Sequence, residues 1–245
     1  MQQPKLNIFS SEDEVLTHLA NYFIAVAKEA IDEKGQFNVS LSGRSSPKKL
    51  YEMLAASDYR EKVEWDNVYF FFGDERYVPE NHPDSNYLMS KKALFDPLQI
   101  PASQIIPVNT SLPPDQAAEA YALAIHTHFK PYNAKFDLVL LGLGDNSHTA
   151  SLFPNTPILE DEESSVKAVF LEDQKVYRIS MTAAMINDAH HIAFLVYGKG
   201  KAEAVHHVLE DETNIAEYPA QLIKSEGDIQ WFMDEAAASV LTKKH

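Results

Sequence analysis

The chain has 245 residues, of which 45% are hydrophobic and none is cysteine, and its formal net charge is −15. This composition indicates a globular protein of one large α/β domain or two small ones, excludes disulfides, thiolate catalysis and cysteine-ligated metals, and argues against nucleic acid and anionic membranes as partners. We expect a cytoplasmic protein, because no apolar run reaches the roughly 20 residues of a membrane-spanning helix and the amino-terminal residues lack the apolar core of a signal peptide.

Strand and helix patterns alternate through the first half of the chain. A helix is predicted from Ser11, which forms a capping box with Glu14, to about Gly35, because apolar residues recur there at helical spacing. The next predicted elements are a strand at 37–42, a helix near Pro47, an aromatic strand at 67–72, a charged loop at 73–77 and a helix at 85–94.

The second half of the chain continues this alternation. It predicts a short strand at 105–108, a helix at 115–129, a buried strand at 136–143, strands at 166–171, 176–181 and 191–197, helices at 183–188 and 201–209, and a final strand at 229–233. This order is typical of an α/β protein with a mostly parallel sheet and helices on both faces. No repeat, low-complexity tract or linker interrupts it, so we predict a single domain over residues 1–245.

The segment FDLVLLGLGDNSHTASLFP, which begins at residue 136, is the most informative in the chain. Its apolar run suits a parallel strand that is covered on both faces, and Gly142 and Gly144 allow a tight turn after it. Ligands of open α/β sheets lie beyond the carboxyl ends of the strands, so His148 is placed to act as an acid or base. The alternative is a surface or structural histidine, and this segment alone does not decide between the two.

Polar groups follow other predicted strands and could converge with His148. They are Gly43, Arg44, Ser45 and Ser46, then Asp74 and Arg76, then Asp145 and Asn146, and finally Arg178 with Lys199 and Lys201. The helix that begins near Pro47 would offer free N–H groups to an oxyanion or a phosphate. Arg178 lies within a predicted strand and needs an anionic partner, which is either a ligand or one of the chain's many acids.

Three short motifs are set aside. Ser45 and Lys48 match the S-x-x-K signature of serine acyl-enzymes, but no K-T-G follows. Gly142 and Gly144 resemble the start of a dinucleotide fingerprint, but Ser147 replaces the third glycine. The histidine pairs at 190–191 and 206–207 are adjacent in sequence and point apart, so we expect no metal site there.

Five ordered segments resemble the lactonase branch of the glucosamine-6-phosphate isomerase/6-phosphogluconolactonase family. They are LSGRSSP, GDERYVPENHPDSNY, LLGLGDNSHTASLFP, RISMTAAMINDA and YGKGKAEAV, which together span roughly residues 37–209. The deaminases of the family typically carry a G-H-I-A-F-N-E-P segment where this chain has HTASLFP. The resemblance therefore favours a lactonase and implies a Rossmann-like fold.

The resemblance implies hydrolysis of 6-phospho-D-glucono-1,5-lactone in the oxidative pentose phosphate pathway, without metal or organic cofactor. His148 would be the general base. Arg178, Lys201, Lys199 and the loop from Gly43 to Ser46 would bind the phosphate, and Asp74 and Arg76 would line the sugar pocket. The oligomeric state, monomer or homodimer, stays open.

The chain departs from the family pattern at the loop that carries His148. Asn146 stands where the aspartate of G-x-D-G-H is expected, and Asp145 lies one position earlier. An amide cannot stabilise an imidazolium by charge, so we expect a lower pKa at His148, unless Asp145 takes over. Arg44 also replaces the second glycine of the G-G-S-T-P pattern and adds a cation beside the expected phosphate site.

Two rival functions remain at this point. One is an aldose/ketose isomerase or deaminase that acts on an amino sugar phosphate. The other is a catalytically silent sugar-phosphate-binding module, which the replacement of the expected aspartate by Asn146 makes conceivable.

Overall fold

The computed structural model describes residues 4–242, which form two β-sheets surrounded by helices. The strands are β1 (Lys5–Phe9), β2 (Phe37–Leu41), β3 (Val68–Phe72), β4 (Asp74–Arg76), β5 (Leu138–Gly142), β6 (Val166–Leu171), β7 (Val176–Met181), β8 (His191–Val196) and β9 (Asp228–Asp234). The α-helices are α1 (Glu12–Lys34), α2 (Ser45–Ala55), α3 (Ser57–Arg60), α4 (Asn86–Ser90), α5 (Asp96–Leu98), α6 (Pro114–Phe129), α7 (Ala183–Asn187) and α8 (Ala202–Leu209).

The larger sheet has six strands in the order β1-β9-β8-β5-β2-β3, and all of its pairings are parallel. The smaller sheet is antiparallel, with β7 between β4 and β6. The prediction of a mostly parallel, Rossmann-like sheet is therefore confirmed. The separate antiparallel sheet is an addition that the alternating pattern did not indicate.

Hydrophobic residues lie on both faces of the six-stranded sheet. In β5, Leu138 and Leu140 belong to the cluster that includes α1 and α2. Val139 and Leu141 belong to the opposite cluster, which includes α6, α8 and the smaller sheet. Burial on both faces explains why this strand is a continuous apolar run instead of an alternating one.

Three local predictions differ from the structure. Residues 74–76, expected in a charged loop, form β4 and pair with β7. The expected strand at 105–108 is reduced to a single bridge between Ile105 and Phe70. The edge strand β1 was not predicted. Within residues 4–242, no helix combines the length and the apolar content that crossing a bilayer requires.

The sheet topology creates a crevice between β2 and β5. These neighbouring strands are parallel, so the loops after them leave the same edge of the sheet. The next strand along the chain from β2 is its neighbour β3, whereas β5 leads to β8 on the opposite side. Such a switch point is where open α/β sheets bind ligands.

Candidate active site

His148 lies in a tightly turned loop that follows β5. The N–H of Gly144 donates to the carbonyl of His148 at 2.8 Å, and the Thr149 hydroxyl donates to the carbonyl of Gly142 at 2.8 Å. Ser147 and Ala150 flank the histidine with positive φ angles of 59° and 46°. These contacts and the constrained backbone hold the imidazole in one place.

Gly144 is required at its position because the imidazole packs directly against it. A Cβ added there would lie 2.0 Å from Nδ1 of His148. No real side chain can approach so closely, so glycine at position 144 permits the imidazole to lie where it does.

The hydrogen bonds of His148 define which ring nitrogen carries the proton. Nε2 lies 2.7 Å from an Nη atom of Arg44, and Nδ1 contacts the side-chain oxygen of Asn146. A guanidinium only donates, so Nε2 accepts with its lone pair, and Nδ1 carries the proton that it donates to Asn146. Phe153 stacks on the ring with centroids 4.1 Å apart.

Burial is the main cause of a strongly lowered pKa at His148. The residue is only 6% exposed. Burial, followed by the positive charges of Arg44 and Lys201, lowers the pKa of the imidazole to about 3, although Asp145 acts in the opposite direction. The histidine is therefore neutral at neutral pH. The pKa of His148 is lowered, as the replacement of the family's aspartate by Asn146 led us to expect. The causes, however, are burial and the neighbouring cations.

A cleft of about 190 Å³ opens beside His148 at the switch point. The predicted site residues that line it are Gly43, Arg44, Ser45, Ser46, Asp74, Arg76, His148, Arg178 and Lys201. His148 and Arg178 thus share one cavity although they are 30 positions apart and belong to different elements. Lys199 is exposed and does not line the cleft, so Lys201 alone represents the G-K-G-K loop there.

Asp145 and Asn146 do not line the cleft themselves, but each contacts a residue that does. Asn146 contacts the imidazole, as described above. The Asp145 side chain is 81% exposed and forms an ion pair with Lys201, which lowers its pKa. Asn146, and not Asp145, therefore occupies the position that orients the histidine.

Arg76 and Arg178 lie directly opposite each other in the antiparallel pair of β4 and β7. Arg76 donates to the carbonyl of Asp84 at 2.7 Å, and Arg178 has a long contact of 3.5 Å with Gln174. Over the described range, no carboxylate lies within 4.0 Å of a nitrogen of either guanidinium. The sequence left two partners open for Arg178, a ligand or an acid of the chain itself. Within the described residues, the ion pair with an acid of the chain is absent. Burial and the neighbouring Arg76 lower the pKa of Arg178.

Asp74 is held by partners that the sequence did not indicate. Its carboxylate accepts a hydrogen bond from the Ser151 hydroxyl at 2.6 Å, and its carbonyl accepts one from the Asn86 side chain at 2.8 Å. Ser151 also lines the cleft. It lies in the same segment as His148, but no sequence signal connects it with Asp74.

Glu75 was also missed, and strand geometry explains its role. Successive side chains of a strand point to opposite sides, so Glu75 faces away from the cleft while Asp74 and Arg76 face it. The carboxylate is 3% exposed and accepts backbone N–H bonds from Arg76, Asn86 and Tyr87. Burial raises its pKa in spite of these bonds. Glu75 thereby ties β4 to the start of α4.

The first turn of α2 forms the opposite wall. Ser45 and Ser46 belong to this turn, and no side chain caps it. The N–H groups of a first turn have no partner within the helix, so they are available to an anion. Elsewhere in the described part of the chain, no group of three histidine, aspartate or glutamate side chains is arranged to hold a metal ion.

Comparison with known proteins identifies the family. The family model described as glucosamine-6-phosphate isomerases/6-phosphogluconolactonase matches residues 10–231. A 6-phosphogluconolactonase of Synechocystis is 39% identical over 217 residues, which cover 87% of this chain and 88% of that protein. One from Haemophilus influenzae is 37% identical over 205 residues, covering 83% of this chain and 87% of that protein.

A solved structure agrees with these sequence relatives. The 6-phosphogluconolactonase of Trypanosoma brucei superimposes with a TM-score of 0.87 at 26% identity, over 99% of this chain and all of that one. A family match over most of the chain, together with relatives above 30% identity, leads to one conclusion. The chain belongs to the glucosamine-6-phosphate isomerase/6-phosphogluconolactonase family.

Proposed function

We propose that this enzyme hydrolyses 6-phospho-D-glucono-1,5-lactone to 6-phospho-D-gluconate, with His148 as the general base. The observation that carries the proposal is a neutral, oriented imidazole in the same cleft as four cationic side chains, those of Arg44, Arg76, Arg178 and Lys201. The curated relatives that are named 6-phosphogluconolactonase support the reaction itself. The residue roles rest on the geometry.

His148 would take a proton from water through Nε2 as the water attacks the lactone carbonyl. The proton on Nδ1 stays on that nitrogen, which donates it to the side-chain oxygen of Asn146, so only Nε2 changes protonation. The imidazolium then gives the proton to the ring oxygen as the ester bond breaks. A general base of this kind contributes roughly 10²- to 10⁴-fold to the rate. Asn146 supports the imidazolium less than a carboxylate would, so this base is weaker than one paired with aspartate.

The cationic groups would bind the 6-phosphate. Arg178 would offer a charge-assisted fork and Lys201 a point charge, while the first turn of α2 adds backbone N–H groups. Asp74 and Arg76 would face the sugar hydroxyls. A net charge of −15 repels anions at long range, so a local cluster of cations is a condition for binding this substrate. The reaction would need neither metal nor organic cofactor and would take place in the cytoplasm.

The test is the substitution His148→Ala, assayed against the spontaneous opening of the lactone. We expect the enzymatic rate to fall by at least about a hundredfold, because the general base is removed. The Gln99→Gly variant serves as a control, since Gln99 does not line the cleft. An unchanged rate in His148→Ala would remove the histidine from the mechanism. Binding of 6-phosphogluconate by the unaltered protein without any hydrolysis would instead identify the silent binding module.

The deaminase alternative is tested with glucosamine-6-phosphate. A monomeric glucosamine-6-phosphate deaminase has the same fold with a TM-score of 0.83, but at 21% identity this likeness concerns the fold alone. Release of ammonia from glucosamine-6-phosphate would support that alternative, and we expect none.

A further inference from the structure

Arg44 has a backbone conformation that ordinarily requires glycine. Its φ of 81° and ψ of −178° fall in a region that residues with a Cβ almost never adopt. The strain persists at the wall of the active-site cleft, one residue before α2. Strained residues of this kind cluster at functional sites, so we infer that the side chain of Arg44 has a function there.

The Arg44 side chain donates a hydrogen bond to the lone pair of His148 Nε2, on which the proposed mechanism depends. Arg44 is exposed as a residue, yet one Nη atom lies 2.7 Å from Nε2 of the buried His148. Because the guanidinium can only donate, Nε2 is engaged as an acceptor and cannot accept a proton from water at the same time. In the ligand-free protein the base is therefore blocked.

The blocking contact is weaker than the contacts an anionic substrate would offer. Arg44 has no carboxylate within 4.0 Å among residues 4–242, and its acceptor on His148 is a neutral imidazole. A phosphate forms charge-assisted, bidentate hydrogen bonds with a guanidinium, which are stronger than a bond to a neutral acceptor. The first turn of α2, which begins at the next residue, offers N–H groups to the same anion.

We propose that Arg44 is a latch on His148 that the phosphate of the substrate releases. In the free protein Arg44 donates to Nε2, and when phosphate enters the cleft the guanidinium moves to the anion and exposes the lone pair to water. The latch makes turnover depend on the phosphate and so selects phosphorylated over unphosphorylated lactones. This inference rests on the function proposed above.

The test compares Arg44→Gly with the unaltered protein on unphosphorylated glucono-1,5-lactone, with and without inorganic phosphate. Glycine suits the backbone at this position and removes the latch. We expect Arg44→Gly to hydrolyse this lactone roughly fivefold faster or more, the factor of about one hydrogen bond, and we expect added phosphate to stimulate only the unaltered protein. Gln99→Gly, another residue with positive φ (57°), controls for the relief of strain away from the cleft.

A spectroscopic measurement keeps the test independent of turnover and of the variant's folding. The ¹⁵N resonance of His148 Nε2 in the unaltered protein should move toward the position of an unbonded imidazole nitrogen when phosphate is added at neutral pH. Three results would each overturn the latch. They are an unchanged rate of hydrolysis of the unphosphorylated lactone in Arg44→Gly, equal stimulation of both proteins by phosphate, and a ¹⁵N resonance that does not move when phosphate is added. A moving resonance in a protein that does not hydrolyse the phosphorylated lactone would overturn the proposed function and leave the latch intact.

Discussion

At the scale of single residues, the lowered pKa of His148 couples the candidate active site to folding. The imidazole has a pKa of about 3 in the folded protein, because of its burial and the neighbouring cations, and about 6.5 in the unfolded chain. Between these two values the unfolded chain binds one proton more than the folded protein. Protonation therefore favours unfolding, and the destabilisation grows as the pH falls below 6.5.

We predict that His148→Gln reduces the loss of stability in mild acid. Between pH 7 and pH 5 the free energy of unfolding of the unaltered protein should fall by about 2 kcal/mol more than that of the variant. Urea unfolding of both proteins at the two pH values measures this difference. The contributions of the other histidines are the same in both proteins and therefore cancel. Parallel pH profiles for the two proteins would mean that His148 titrates normally.

The sequence locates these residues but not all of their contacts. A strand followed by small and polar residues predicts that His148 lies at the edge of the sheet, and the family motif brings Arg178 and Lys201 to the same cleft. The contacts of Arg44 with His148 and of Ser151 with Asp74 join residues separated by 104 and 77 positions. Such contacts depend on side-chain rotamers and on the approach of two loops, and a linear pattern contains neither.

At the scale of elements, the turn after β5 fixes His148 through backbone contacts. Gly144 is both a hydrogen-bond donor to the carbonyl of His148 and the surface on which the imidazole rests. The geometry of this turn therefore controls the position of the imidazole.

We predict that Gly144→Ala displaces the imidazole and lowers activity by at least about tenfold while the protein remains folded. The added Cβ would lie 2.0 Å from Nδ1, so the ring has to move, and misplacements of about 1 Å can cost far more than this. Gly200→Ala is the matched control, because nothing lies within 4 Å of a Cβ there. Lactonase assays and thermal unfolding of both variants decide the matter, and equal activities would contradict the prediction.

Helices and strands were predicted well where the periodic pattern of hydrophobic residues continued over many residues. The helix α1 begins after Ser11 and ends before Gly35, as the capping box and the helical spacing indicated. The strand β4 was missed because it has three charged residues and pairs with β7, which lies about a hundred positions later. Its stability comes from that partner and from the buried Glu75, and neither is visible in a local pattern.

At the scale of the whole molecule, the six-stranded sheet separates two hydrophobic clusters. Adjacent residues of β5 pack into different clusters: Leu140 is 3% exposed on the side of α1 and α2, and Leu141 is 2% exposed on the side of α6. The two faces thus contribute to stability through separate sets of neighbours.

We predict that Leu140→Ala and Leu141→Ala each lower the free energy of unfolding by about 2–5 kcal/mol, and that the double variant loses the sum within about 0.5 kcal/mol. Leu138→Ala with Leu140→Ala is the matched pair, because both residues pack into one cluster and should deviate from additivity. Denaturant unfolding measures all of these energies. Strong coupling between Leu140 and Leu141 would contradict the separation of the faces.

The position of β1 at the edge of the large sheet has a consequence for biosynthesis. Within residues 4–242, β9 is the only strand that pairs with β1, and Lys5 lies opposite Gln230. On the ribosome, β1 must therefore wait until its partner, which follows about 225 positions later, has been translated. Contacts so distant along the chain form late, and a nascent chain interrupted before β9 would leave the edge of β8 open to association with other molecules.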